Sequence, residues 1–242
     1  MAFKQLDPED FVVSSDSVTS TVWSNNAPSL STFHTSSTQR EGSSGPYYLS
    51  VYQTASDSDT AAVQFQIAYA NRNGGGGVNF DATVPFVSPT TTIYGQYRTL
   101  ILEDENASFV WGDTLTGSAD NDFYVISIER ARYKQSLLPG SLNLVLKSSN
   151  SAYAKIQLTD DSKDNPVNTF MGSSRVYQLI SGSNGTSGNL TNSGYVAGSG
   201  SYGLVFPDLG TIILNPDAIS QSIHVEASRS NNSDGLNTQT LF

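Results

Sequence analysis

Along AAVQFQIAYAN, residues 61–71, Val63, Phe65, Ile67 and Tyr69 fall on one side and Gln64 and Gln66 on the other. A period of two predicts a strand with unlike faces. YYLSVYQT, residues 47–54, reads the same way, and the polar Asp57-Ser58-Asp59 between the two predicts a short hairpin. YVISIE from Tyr124 and LNLVLK at 142–147 predict further strands, and SAYAKIQLTDDSKDNP at 151–166 reads as another strand and a turn, with a hairpin partner in SRVYQLIS at 174–181. VSPTTTIYGQYRTLILED fits two templates: a strand broken at Gly95, or a helix opening after Ser88-Pro89. The helical reading, over 93–102, is preferred because it places Tyr94, Tyr97 and Ile101 on one stripe. GLVFPDLGTIILNPDAI, residues 203–219, is a strongly apolar run, and Ile223, His224 and Val225 alternate as in a strand.

Polar stretches separate these runs. Residues 24–46 are turn-rich, with only Leu30 and Phe33 to anchor them, and Val18, Val22 and Trp23 before them predict a short strand or extended arm. Four consecutive glycines follow Asn73, too costly in entropy for a strand or helix, and residues 182–203 contain seven more. The predicted fold is therefore mainly β: a sandwich-like antiparallel core with a few short helices and long loops or arms. Residues 1–46 form an N-terminal extended arm and irregular segment. Residues 47–225 form the core, with a glycine-rich insertion at 182–203, and residues 226–242 form a polar C-terminal segment. Because that segment is polar up to Leu241-Phe242 with no closing element, the chain is expected to lead into a longer protein or to fold against partners.

Composition narrows the function. A chain of 242 residues can bury one large core or two modest ones, and all-β sandwiches reach this length as a single domain. The formal charge of −10 repels phosphate backbones, so no nucleic-acid partner is expected. Without cysteine there are no disulfides, thiolate metal sites or cysteine nucleophiles. No run approaches the roughly 20 apolar residues of a membrane span, so no membrane insertion is expected.

The candidate chemistry is sparse. His34 lies in a Ser/Thr-rich loop and His224 in the apolar alternation, and neither stands near a nucleophile elbow. Glu103-Asp104-Glu105 offers carboxylates for acid–base work but reads more simply as a solvated turn. Asp160, Asp161 and Asp164 invite a calcium reading, yet the glycine and glutamate that a calcium loop requires are missing. The Asn73 glycine run lacks the Lys-Ser/Thr ending of a phosphate loop. No catalytic residue, cofactor or metal site is assigned, and the chain is not expected to be an enzyme.

ERARYKQSLLPG, residues 129–140, holds three of the 12 basic residues of the chain, Arg130, Arg132 and Lys134. If the strand persists, all three project from one face and Ala131 and Tyr133 from the other. One or two helical turns before Pro139 are the alternative. Such a row suits docking onto the acidic surface of a neighbouring chain. Pairing inside the chain, with Glu129 or the acids at 103–105, is the competing reading.

Several blocks resemble large virion structural proteins of contractile-tailed, T4-like bacteriophages, especially cyanophages. They are SSDSVTSTVWSNNAPSLSTFHTSSTQ, PYYLSVYQT, VQFQIAYANRNGGGG, SPTTTIYGQYRTLIL, ISIERARYKQSLLPGSLNLVL and YGLVFPDLGTIILNP, and they cover most of positions 12–219. The resemblance implies a non-enzymatic structural subunit of the tail, of baseplate type. Its partners would be other tail or baseplate proteins in multiple copies. Its location would be the virion, after assembly in the host cytoplasm. The expected partner contacts are Arg130, Arg132, Lys134, Tyr94, Tyr97, Arg98 and Trp23, since arginine and aromatic side chains most often anchor interfaces. A receptor- or carbohydrate-binding tail module is the alternative. A tail-borne hydrolase using Glu103 or Glu105 is a third reading, which lacks a convincing acid–base pair.

Overall fold

The computed structural model describes residues 17–18, 29–35, 48–74, 89–111, 119–147, 155–166, 169–188 and 202–223. Trp23, the glycine run beyond Gly74, most of the 182–203 insertion, His224 and the 226–242 segment lie outside these residues.

In chain order, the first strands are β1 (Ser17–Val18), β2 (His34–Thr35), β3 (Leu49–Tyr52) and β4 (Val63–Asn71). Helix α1 (Pro89–Tyr97) follows, widening into a π-helical turn at Arg98–Leu102. Then come β5 (Phe109–Val110), β6 (Ala119–Asp120), β7 (Asp122–Ile128), a 3₁₀ turn (Arg130–Arg132), β8 (Ser136–Leu137) and β9 (Leu144–Lys147). The chain continues through β10 (Lys155–Asp160), β11 (Thr169–Met171), β12 (Ser174–Ser183), β13 (Thr186–Ser187), β14 (Gly203–Phe206), β15 (Thr211–Leu214) and α2 (Pro216–Ile223).

The mainly β, sandwich-like antiparallel fold with short helices is thus the one adopted. Its principal sheet runs β2-β3-β4-β7-β15-β14-β12-β10-β9, with β11 and β13 also paired to β12. Every pairing in it is antiparallel. Two small pairs stand apart, β5 with β6 and a parallel one between β1 and β8. The expected arm thus supplies β1 and β2, the latter to the sheet edge beside β3.

Register explains the two cores. Ile67 faces Ile126 across β4 and β7, Ile126 faces Ile212 on β15, and Ile212 faces Val205 on β14. These side chains share one face with Tyr69, Tyr124, Leu214, Leu158, Leu179, Ile156 and Leu146. Helix α2 packs there through Ala218 and Ile219, contacting both β7 and β10, which lie four steps apart in the sheet. The sheet therefore curls toward that helix. Asn215 caps it, its Oδ1 accepting the amides of Asp217 (3.0 Å) and Ala218 (3.3 Å), with Pro216 at the first helical position. Ile223 lies in this helix and not in the strand expected from that position, while His224 and Val225 lie outside the described residues.

On the opposite face lie Ala68, Ala70, Phe123, Val125, Leu204, Phe206 and Ile213. Alanines at 68 and 70 leave room for α1 to lie on β4, and Ile93, Tyr94, Tyr97 and Ile101 fill the space above them. The helical stripe predicted from sequence is present, starting four residues earlier at Pro89. Each fully buried side chain of this size contributes about 1.5–3 kcal/mol.

Candidate functional site

Strand β7 stops where its partners stop. The Ile128 amide donates to the Gly210 carbonyl (2.8 Å) and that of Glu129 to Gln64 (3.0 Å), after which the Arg132 amide closes a turn onto the Glu129 carbonyl (2.8 Å). With three residues per turn, Arg130 and Tyr133 come to the same side. The Arg130 guanidinium donates to the Tyr133 carbonyl (2.6 Å) and sits 4.6 Å from the centre of its ring. Tyr133 itself is buried, and burial pushes its phenol pKa up. The alternating row of cations predicted for a persistent strand is therefore not formed. Arg130 is exposed and folded back on Tyr133, Arg132 is half-buried, and Lys134 is exposed.

The aromatic candidates are corrected too. Tyr94 and Tyr97 are core side chains, at 1% and 4% exposure, rather than surface anchors. The Tyr94 ring centre lies 5.3 Å from that of Phe123 and 6.0 Å from that of Phe109, and Tyr97 meets Phe123 edge-on at 6.3 Å. Burial raises the Tyr97 phenol pKa. Arg98 is half-buried, its guanidinium 5.8 Å from the Tyr94 ring centre. These positions thus fall in three places, with Tyr94 and Tyr97 in the packed core, Arg98 on the π-helical turn beside it, and Arg130, Arg132 and Lys134 at the end of β7, while Trp23 lies outside the described residues.

The flagged acids hold loops in place. Glu103 ends the π turn with φ +56°, and its Oε1 accepts both the amide (3.0 Å) and the hydroxyl of Ser173. It thereby fastens α1 to the β11–β12 hairpin. Asp160 Oδ1 accepts the amides of Gly140 (2.8 Å) and Ser162 (3.3 Å). Asp161 accepts from the Gln178 amide (2.9 Å) and Asn165 Nδ2 (2.8 Å), although burial holds its pKa above the usual carboxylate value. Asp164 accepts the Ser187 amide (2.6 Å), and this bond lowers its pKa. Beside them, Thr159 Oγ1 accepts the Gly185 amide (2.8 Å) and donates to the Leu142 carbonyl (2.7 Å). Asn184 and Gly185 form a tight hairpin turn, both with positive φ, at +53° and +81°. Among the described residues no group of three or more His, Cys, Asp or Glu could hold a metal ion. Nor is any helix among them long and apolar enough to cross a membrane.

Two features escaped the sequence reading. Arg175 on β12 grips Asp208 in the β14–β15 turn through both carboxylate oxygens, Nε to Oδ2 at 2.9 Å and Nη2 to Oδ1 at 2.5 Å. A Pro-Asp-Leu-Gly turn signals a loop, but nothing local names its partner. Phe33, Leu100, Leu138, Val145 and Phe170 stand exposed, from 38% at Leu138 to 57% at Phe170. Three of them lie on or beside strands at the sheet margin: Phe33 next to β2, Val145 on β9 and Phe170 on β11. Comparison with family models, curated proteins and solved structures finds no match.

Proposed function

We propose that the chain is a non-enzymatic structural subunit of a bacteriophage tail, of baseplate type, that holds neighbouring virion proteins together. The observation that carries this reading is the distribution of side-chain work. Glu103, Asp160, Asp161 and Asp208 are all engaged in fastening one turn of the chain to another. Large apolar side chains, by contrast, are presented at the margins of an extended sheet. Exposed strand margins are where protein chains most readily add to one another. The blockwise resemblance of positions 12–219 to contractile-tail structural proteins supports the particle class.

Proteomics of purified particles, followed by locating the chain in a whole-particle reconstruction, tests the proposal. The expected result is a stoichiometric component in contact with several tail proteins. A chain absent from mature particles, or a purified chain that turns over a substrate, would refute it. Saturable binding to specific sugars on a glycan array would favour the receptor-binding alternative.

A further inference from the structure

The margin formed by β9 carries a more specific message. Among the described residues, β9 pairs only with β10, so its other side is a row of backbone donors and acceptors without a neighbouring strand. Its side chains alternate sharply. Leu144 and Leu146 turn inward, against Ile156 and Leu158 of the core, while Val145 and Lys147 stand exposed on the outer face. Lys147 lies directly opposite Lys155 of β10, on that same outer face.

Two like charges opposed across strands destabilise a sheet. Neither ammonium has a hydrogen bond or ion pair to any described residue. In a chain of net charge −10, this is a local positive step beside an open strand. The geometry points to β9 as a docking edge for an extended acidic segment of a partner protein, added as the next antiparallel or parallel strand. The partner strand would alternate apolar and acidic residues. Its apolar side chains would continue the inner core past Leu144 and Leu146, and its carboxylates would neutralise Lys147 and Lys155 on the outer face. This rests on the docking role proposed above and names the chemistry of one partner.

The test uses the purified full chain and a fluorescein-labelled peptide of alternating valine and glutamate. The matched valine–lysine peptide serves as control, and binding is read by fluorescence anisotropy at low and high salt. The glutamate peptide should bind about tenfold or more tightly than the lysine peptide. That preference should shrink as salt rises. Residues 144–147 should gain protection from hydrogen exchange when the peptide is bound. The Lys147→Glu/Lys155→Glu variant should reverse the preference toward the lysine peptide, which a merely unfolded variant would not do. Equal binding of the two peptides, protection arising elsewhere, or no reversal would overturn the inference. So would a concentration-dependent dimer that masks β9, since the edge would then serve a second copy. Because no particle is involved, failure here leaves the tail-subunit proposal to be judged by its own experiment.

Discussion

Replacing Gly210 by alanine probes the joint at which the chain turns away from β7. Gly210 has φ +62°, and a Cβ placed there would lie 2.5 Å from Cε1 and 2.6 Å from Cζ of the Tyr133 ring. Two costs combine. Holding an L-residue in the left-handed region costs about 1–2 kcal/mol. Forcing a methyl into a filled site costs about 1–3 kcal/mol more, and Tyr133 has little room to yield because it is only 7% exposed. Gly210→Ala should therefore lower unfolding free energy by about 2–5 kcal/mol, a large share of a typical domain's total. Urea denaturation, followed by the fluorescence of the buried Trp111, should show a lower midpoint at unchanged slope. The same substitution in a Tyr133→Ala background meets no ring, so only the backbone cost of about 1–2 kcal/mol should remain. If Gly210→Ala costs the same in both backgrounds, the ring contact is not what makes glycine necessary there, and the packing account of residues 130–133 fails.

Tyr94→Ala should cost about 3–5 kcal/mol in thermal or urea unfolding, while Arg130→Ala should cost well under half of that, because one empties the core and the other uncovers a surface turn. Equal losses would contradict the assignment of Tyr94 to the core. Glu103→Ala, which frees Ser173, should destabilise by about 1 kcal/mol and speed hydrogen exchange in the β11–β12 hairpin. The Arg175 guanidinium holds the Asp208 carboxyl below its ordinary range. That contribution is present above the unfolded carboxylate pKa of about 3.9 and is lost as pH falls through the lower folded value. Arg175→Met should therefore flatten stability against pH in the acid limb. The effect is expected to stay below about 1 kcal/mol, since both partners are partly solvated.

What could be read in advance was local. The β3–β4 hairpin follows from a period of two on each side of a polar loop, and the stripe of Tyr94, Tyr97 and Ile101 follows from helical spacing. The stripe itself argued for burial, so offering Tyr94 and Tyr97 as surface anchors gave residue type more weight than residue position. The turn at Arg130–Arg132 was decided elsewhere, by where β4 begins and by Gly210 receiving the Tyr133 ring. No pattern within 129–140 carries that information. β14 and β15 are buried on both faces, so their alternation vanishes into one apolar run broken only by Pro207-Asp208-Leu209-Gly210. Asn215-Pro216 pairs a capping side chain with a first-turn proline, the ordinary start of a helix, and the expectation of a strand at Ile223 and Val225 took no account of it. The opposition of Lys147 and Lys155 depends on strand register, which the segment between them does not announce.

The β14–β15 hairpin sits between β7 and β12, and so joins strands made early to strands made in the middle of the chain. Ser127 on β7 must wait for Thr211 before that seam closes. A ribosome adding about 5–20 residues per second leaves the nascent chain for several seconds with two half-sheets, each presenting an open inner margin. Those margins are matched to receive a strand, so the newborn polypeptide is most vulnerable to mispairing with its siblings just before synthesis reaches its keystone. Slowing translation ahead of residue 203 should therefore lower the soluble yield, and supplying a chaperone that shields β7 and β12 should restore it.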